Sequence, residues 1–131
     1  MNLTKTKYYT ILNDTYNANP DSVKSVLKTI SSYQERKVAI LGDMLELGTY
    51  EKELHESVGE YLNGKIDVLI TIGSLSKHIN DKFNGEKYHF NNIEEVEKQI
   101  TAILKPNDYV VLKASHSMRL DELANYLTSI K

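Results

Sequence analysis

A polar turn containing a carboxylate, amides and a proline follows the first apolar stretch of the sequence. It reads DTYNANPDS over residues 14–22, and an amphipathic pattern begins directly after it. A helix that starts after such a turn directs backbone N–H groups at its ligand, which favours an anion. Asp14 can accept hydrogen bonds from ribose hydroxyls, and Asn17 and Asn19 can contact a phosphate or a peptide carboxylate. The alternative is that Asp14 and Asn19 only satisfy N–H groups of the turn and of the helix start.

A second turn, GDMLELG at residues 42–48, combines two glycines with acidic and apolar side chains. The glycines permit tight backbone turns, and Asp43 can pair with an ammonium group. Apolar residues beside charges in a loop are typical of a surface that lines a substrate. In the alternative interpretation this is an ordinary loop with Met44, Leu45 and Leu47 packed beneath it.

A third turn, KASHSM at residues 113–118, carries a cation, two hydroxyls and an imidazole just before the last amphipathic pattern. Lys113, Ser115 and His116 can together receive a carboxylate or a phosphate. The alternative makes Ser117 the N-cap of the last helix and Lys113 a solvated strand end. We favour the binding role, because a lysine at the end of a buried strand is costly unless it is paired.

The remaining candidates carry less chemistry. Gly73-Ser74 is typical of a plain strand-to-helix turn, His55 is predicted to be structural, and His78 and His89 belong to no cluster. The sequence has no cysteine and no pair of histidines spaced i, i+4, so we expect no metal site.

Three nucleotide and catalytic motifs are missing. The sequence contains no GxxxxGK[ST] phosphate loop, no GxGxxG fingerprint and no GxSxG nucleophile elbow. The chain therefore lacks the residues to bind ATP with Mg²⁺ and carry out phosphoryl transfer alone. We expect no catalytic residue and no tightly bound cofactor in this chain by itself.

Composition limits the partners. The 131 residues suit a single globular domain, and a net charge of −2 argues against nucleic acid. No apolar run approaches the ~20 residues that span a membrane, and no secretory signal is present. The lack of cysteine fits a cytoplasmic protein.

Apolar runs alternate with helical periodicities. The patterns predict strands at residues 8–13, 37–41, 67–72 and 108–113, a weaker strand at 87–90, and a possible opening hairpin turning at Lys5-Thr6-Lys7. Helices are predicted over residues 23–33, 54–62, 75–82, 93–104 and 120–127. Asn19 and Asn92 are predicted N-caps, the second with Glu95 as a capping-box partner.

The predicted fold class is α/β, with an open, mostly parallel, Rossmann-like sheet flanked by helices. Three strands are apolar at successive positions, which suits a parallel sheet covered on both faces. In such a sheet ligands bind beyond the carboxyl ends of the strands, where the polar turns lie.

The motifs, in order, resemble those of the C-terminal domain of the Mur ligase family, of the branch that adds D-Ala-D-Ala. The matching stretches are DTYNANPDS, RKVAILGDMLELG followed by ELHESVG, DVLITIG, and DYVVLKASHSMRLDEL. They run from residue 13 to about residue 127, nearly the whole chain.

The resemblance implies an ATP-dependent ligase that joins D-Ala-D-Ala to UDP-MurNAc-tripeptide in peptidoglycan precursor synthesis. It implies a UDP-sugar domain and a central ATPase domain with the Mg²⁺ sites, both outside this chain. We therefore expect the chain to be one domain, residues 1–131, cut from a longer protein, and inactive alone.

The resemblance also implies roles for the turn residues. Asp14 would contact the ATP ribose, and Asn17 and Asn19 would lie beside the nucleotide and the incoming dipeptide. The D-Ala-D-Ala pocket would be lined by Asp43, Met44, Leu45, Glu46 and Leu47, and its carboxylate would be received by Lys113, Ser115 and His116.

Two residues depart from the usual pattern, since Ala114 stands where glycine is common and His116 where arginine or asparagine is common. A neutral histidine is a weaker anion ligand than arginine. Two other functions remain open: a stand-alone, non-catalytic module that binds a small peptide or nucleotide, and a response-regulator-like or flavodoxin-like switch domain. The switch domain ranks lower, because no adjacent acidic pair accompanies Asp14 or Asp43.

Overall fold

The predicted parallel sheet is present in the computed structural model, which describes residues 2–14, 18–115 and 118–130. Its strand order is β1-β2-β6-β3-β4-β5, with β1 antiparallel to β2 and the other neighbours parallel. The strands of this described part are β1 (Asn2–Lys5), β2 (Thr10–Asn13), β3 (Lys37–Gly42), β4 (Val68–Ile72), β5 (Glu86–Phe90) and β6 (Tyr109–Lys113).

Helices cover both faces of the sheet, as the continuous apolar strands predict. The helices are α1 (Pro20–Ile30), α2 (Glu51–Leu62), α3 (Lys77–Lys82), α4 (Ile93–Ile103) and α5 (Leu120–Ser129), with a 3₁₀ turn at Gly48–Tyr50. Val38 and Ile40 of β3 belong to the apolar cluster that contains residues of α4 and α5. Their neighbours Ala39 and Leu41 belong to the cluster that contains residues of α1, α2 and α3. Successive side chains of one strand thus enter opposite cores.

The predicted N-caps are confirmed. Asn19 accepts a hydrogen bond from the Ser22 backbone N–H, and Ser22 Oγ accepts one from Asn19, which completes a capping box. Asn92 accepts from the Glu95 N–H, but the Glu95 carboxylate accepts from Asn91 rather than from Asn92. In this second capping box the backbone N–H bound by Glu95 is therefore that of Asn91, one residue before the N-cap.

Two local predictions are wrong. Helix α1 ends at Ile30, and Tyr33 beyond it lies with its ring centroid 5.2 Å from that of Tyr109. Ser117, the N-cap of the last helix in the alternative interpretation, lies outside the described residues, and the N-cap position of α5 is Arg119. The hairpin is present, but its turn includes Tyr8 and Tyr9, whose N–H groups donate to Thr6 Oγ1, so β2 begins at Thr10.

None of the helices in the described part of the chain is long and apolar enough to cross a membrane.

Candidate functional site

The polar turns meet along one edge of the sheet. Strands β2, β6, β3 and β4 are parallel neighbours in that order, so their carboxyl ends lie side by side. The turns after β2, β3 and β6 carry the predicted site residues, and the turn after β4 is Gly73-Ser74, predicted as a plain strand-to-helix turn. We therefore treat this edge as the candidate site.

Lys113 at the end of β6 reaches Asp14 at the end of β2. The Lys113 Nζ lies 2.8 Å from Asp14 Oδ2, and the side chains are 1% and 16% exposed respectively. The Asp14 N–H donates to the Leu112 carbonyl, which holds the turn against β6. The interpretation of Lys113 as a solvated strand end is wrong, because its aliphatic stem and its ammonium are both buried.

Asn13, directly before Asp14, joins this edge to α5. Its amide Nδ2 donates to Asp121 Oδ1 at 3.2 Å, in the first turn of the helix. Its Oδ1 is buried without a hydrogen-bond partner among the described residues. Asn13 was not among the predicted site residues, and the signal that marks it is its position as the last residue of a strand before a polar turn.

Asp43 joins the end of β3 to the start of α3. Its Oδ1 accepts a hydrogen bond of 2.7 Å from the Ser76 N–H, and the residue is 8% exposed. Gly73 packs against the carboxylate so closely that a Cβ there would lie 2.6 Å from Asp43 Oδ1. The turn at Gly73-Ser74 therefore forms the surface against which the Asp43 carboxylate packs.

The backbone after Asp43 is held from two further elements. Ser115 donates its N–H to the Asp43 carbonyl at 3.1 Å, and its Oγ accepts the Leu45 N–H at 2.8 Å. From the other side, Nε2 of His55 in α2 accepts the Met44 N–H at 3.0 Å. Residues 43–45 are therefore tied to α3, to the turn after β6 and to α2.

The side chains of this loop divide into an anchor and a tip. Met44 is 1% exposed and Leu47 is partly buried against the same apolar cluster, so both support the loop from below. Leu45 is 41% exposed, and Glu46 is exposed with a φ of 64°. The surface that a ligand meets at the tip of the loop is formed by Leu45 and Glu46.

Three further residues were predicted to belong to the site: Asn17, Asn19 and His116. Asn19 is exposed and uses its side-chain oxygen as the cap of α1. Asn17 and His116 lie outside the described residues.

Ala114, one of the two residues that depart from the pattern expected from the resemblance, fits against Gly42. A Cβ on Gly42 would lie 2.8 Å from the Ala114 methyl group, which is fully buried. The alanine is accommodated because its neighbour across the β3–β6 pair has no side chain.

A cavity of about 180 Å³ opens at the same edge of the sheet, beyond β4 and β5. Its polar wall includes Asn91, Asn92 and Arg119, and its apolar wall includes Ile72 and Met118. The Arg119 guanidinium lies 2.7 Å from Glu122 and 3.5 Å from Glu94. The cavity was not predicted, because residues from three separate stretches of the sequence line it.

His89 also lies near this edge. Its Nδ1 is 2.7 Å from the hydroxyl of buried Thr71. Burial and the neighbouring Lys77 lower the pKa of His89, so the imidazole is held toward its neutral form. Among the described residues no group of three His, Asp or Glu side chains is arranged to hold a metal ion.

Comparison with known proteins identifies the family. Residues 1–116 match the family described as Mur ligase, glutamate ligase domain. The UDP-N-acetylmuramoyl-tripeptide–D-alanyl-D-alanine ligase of Buchnera aphidicola subsp. Baizongia pistaciae is 36% identical over 92% of this chain and 27% of its own length. The Bacillus subtilis ligase of the same name is 31% identical over 89% of the chain and 27% of its own length.

Solved structures agree with this family. MurF ligase from Thermotoga maritima, in complex with ADP, superimposes with a TM-score of 0.84 at 27% identity, over 97% of this chain and 30% of its own. MurF from Acinetobacter baumannii shares the fold with a TM-score of 0.86 at 21% identity, over 98% and 29%. The chain thus spans little more than a quarter of the length of these relatives. It belongs to the Mur ligase family, as a domain of the kind that forms the C-terminal part of the MurF ligases.

Proposed function

We propose that this chain is the C-terminal domain of an ATP-dependent ligase that joins D-Ala-D-Ala to UDP-MurNAc-tripeptide. The observation that carries the proposal is the convergence of the motif turns. Asp14, Lys113, Asp43 and Ser115 come from three strand ends and are bonded directly to one another or to a neighbouring loop. The relatives that share this domain are named for the same reaction.

In this proposal the UDP-sugar domain and the ATPase domain belong to the rest of a longer polypeptide, and the ligase acts in the cytoplasm. The sequence has no phosphate loop, and the described residues contain no cluster suited to Mg²⁺. We assign the triphosphate and the metal to the missing part. The role of this chain is to close over the bound substrates, fix their orientation and exclude water.

The Asp14 carboxylate fits the role of ribose acceptor. One oxygen is engaged by Lys113, while the side chain keeps 16% exposure, through which a hydroxyl can reach it. In the ligase reaction, ATP supplies the phosphoryl group that activates the tripeptide carboxylate. Asp14 would orient the nucleoside, with Asn17 and Asn19 beside it.

The loop at residues 43–47 and the turn after β6 fit the role of dipeptide site. Asp43 supplies negative charge for the dipeptide ammonium, and Leu45 supplies an exposed apolar side chain for its methyl groups. Ser115 Oγ accepts from Leu45, which leaves its own hydroxyl hydrogen to donate to the dipeptide carboxylate. Lys113 and His116 would add to this carboxylate site. The positive charge of Lys113, which pairs with Asp14, would also attract the dipeptide carboxylate.

The first test is the reading frame upstream of Met1 together with an assay of the encoded ligase. We expect a frame that continues into a GKT-type phosphate loop, and phosphate release from ATP that requires both UDP-MurNAc-tripeptide and D-Ala-D-Ala. The 131-residue chain alone should release none.

The site residues are then tested by Asp14→Asn in the encoded ligase, with Asp21→Asn, an exposed residue in the first turn of α1, as the matched control. We expect Asp14→Asn to raise the KM for ATP about tenfold, the effect of roughly 1.4 kcal/mol of lost binding, while Asp21→Asn leaves it unchanged. A frame that starts at Met1, or phosphate release that ignores D-Ala-D-Ala, would favour a stand-alone binding module instead.

A further inference from the structure

We infer that His55 is a positioning residue: it holds the backbone of the loop at residues 43–47 in the conformation that meets the amine substrate. The substrate part of this inference rests on the proposed function above. His55 is fully buried in α2, and the function proposed above assigns it no part in substrate binding.

The partners of the imidazole determine which nitrogen carries the proton. His55 Nδ1 lies 2.6 Å from the Glu51 carbonyl oxygen, which can only accept, so Nδ1 carries the hydrogen. Nε2 lies 3.0 Å from the Met44 nitrogen, whose N–H can only donate, so Nε2 is the acceptor. Both ring nitrogens are therefore satisfied in one neutral tautomer.

A buried imidazole is a poor choice for packing alone. Polar groups removed from water cost free energy unless they are hydrogen-bonded, and an aliphatic side chain would fill the same space without that cost. What the imidazole adds is a hydrogen-bond acceptor at the one point where the loop leaves the sheet. Without it the Met44 N–H would lose the acceptor that now satisfies it.

The position of Met44 makes this bond consequential for the tip of the loop. Met44 is followed by Leu45, whose N–H is held from the opposite side by Ser115. Glu46 then adopts a φ of 64°, a conformation that is unfavourable for a residue with a side chain and persists only when the surroundings impose it. Among the described residues, the side chains of His55 and Ser115 hold the backbone just before this strained residue.

The first experiment follows the isolated chain, so that it does not depend on the proposed reaction. We expect ¹⁵N NMR to show His55 protonated on Nδ1 only, and the Met44 amide to be protected from hydrogen exchange. His55→Met removes the acceptor at similar volume, and should speed exchange at Met44 about tenfold more than elsewhere. His55→Gln returns an acceptor near the position of Nε2 and should restore protection.

Leu62→Ala, at a fully buried position of the same helix, is the matched control for general destabilisation. It should accelerate exchange across the chain without singling out Met44. If His55→Met fails to fold, Ser115→Ala releases the Leu45 amide from the other side and should expose that amide alone. Equal patterns for His55→Met and Leu62→Ala, or a Met44 amide unprotected in the unaltered chain, would overturn the inference.

The second experiment uses the encoded ligase. His55→Met should raise the KM for D-Ala-D-Ala about tenfold and leave the KM for ATP unchanged, with His55→Gln between the two. A parallel rise in both KM values would reduce His55 to a structural residue. If the unaltered ligase does not use D-Ala-D-Ala, the proposed function fails, while the exchange data still decide whether His55 holds the loop.

Discussion

The ammonium of Lys113 lies 2.8 Å from the carboxylate of Asp14, although 99 positions separate the two residues in the sequence. The contact forms because β6 lies directly beside β2. It ties the residue proposed to bind ribose to the turn proposed to bind the dipeptide carboxylate. A substitution of either residue therefore affects stability as well as ligand binding.

The energetic coupling of this pair can be measured with Asp14→Ala, Lys113→Met and the double variant. Charge-assisted hydrogen bonds that are largely removed from water contribute about 1.5–3 kcal/mol, so we expect a coupling free energy of that size. Urea denaturation of the four proteins measures it. If the losses of unfolding free energy in the two single variants add up to the loss in the double variant to within about 0.5 kcal/mol, the two groups do not interact.

Gly73→Ala tests the close packing of the Gly73-Ser74 turn against the Asp43 carboxylate. Gly73 has a φ of 106°, and an added Cβ would meet the Asp43 carboxylate at 2.6–2.8 Å. Backbone strain and overpacking together should lower the free energy of unfolding by about 3 kcal/mol. Gly64→Ala is the matched control, because Gly64 has a φ of 80° but nothing within 4 Å of the added Cβ. Gly64→Ala should lower the free energy of unfolding by about 1 kcal/mol. An equal loss for both variants would show that the Asp43 side chain moves aside at little cost.

Gly59→Ala tests the close approach of α2 and α3. Alanine favours a helix over glycine by about 1 kcal/mol, so helix propensity alone predicts stabilisation. In this structure an added Cβ would collide with the Ile79 carbonyl oxygen of α3. We expect a net loss of about 1–2 kcal/mol in thermal or urea denaturation. Glu60→Ala, at the exposed neighbouring position, should change stability by less than about 0.5 kcal/mol. A Gly59→Ala protein more stable than the parent would contradict the packing.

Asp108, at the opposite end of β6 from Lys113, predicts a pH dependence of stability. Burial raises its pKa above the ordinary value of 3.8, against the opposing effects of the Lys105 N–H and the Arg36 guanidinium. The folded state then takes up the proton at a higher pH than the unfolded state. The stabilisation linked to this proton is present at low pH and is lost as pH rises through the folded-state pKa.

Comparison of the parent with Asp108→Asn isolates this effect. As pH falls from 7 toward 4, we expect the free energy of unfolding of the parent to increase relative to that of the variant. Urea denaturation at several pH values measures the difference. The raised pKa would be contradicted if, as pH falls, the free energy of unfolding of the parent stays constant or decreases relative to that of the variant.

Local patterns determined the secondary structure and the fold class of this protein. The continuous apolar runs of β3, β4 and β6 indicated strands buried on both faces, and the structure places successive side chains of β3 in two different cores. The caps Asn19 and Asn92 marked helix starts because their side-chain oxygens satisfy N–H groups only a few residues away. The ordered motifs were enough to predict the family.

The local errors share a physical cause. The apolar spacing that places Val26 and Ile30 on one face of α1 continues to Tyr33, but Tyr33 packs against Tyr109 after the helix has ended. Tertiary contacts outweigh residue preferences at element ends, where few hydrogen bonds are at stake.

Only the tertiary structure decided which turns meet. Every buried parallel strand has a similar apolar pattern, so the sequence could not show that β6 lies between β2 and β3 and brings Lys113 to Asp14. Nor could it show that His55 accepts the Met44 N–H, because a helix pattern records that a side chain is buried but not what it faces. The residues available for chemistry are determined by the sequence, whereas their hydrogen-bond partners depend on the strand order, which only the packing of the whole chain sets.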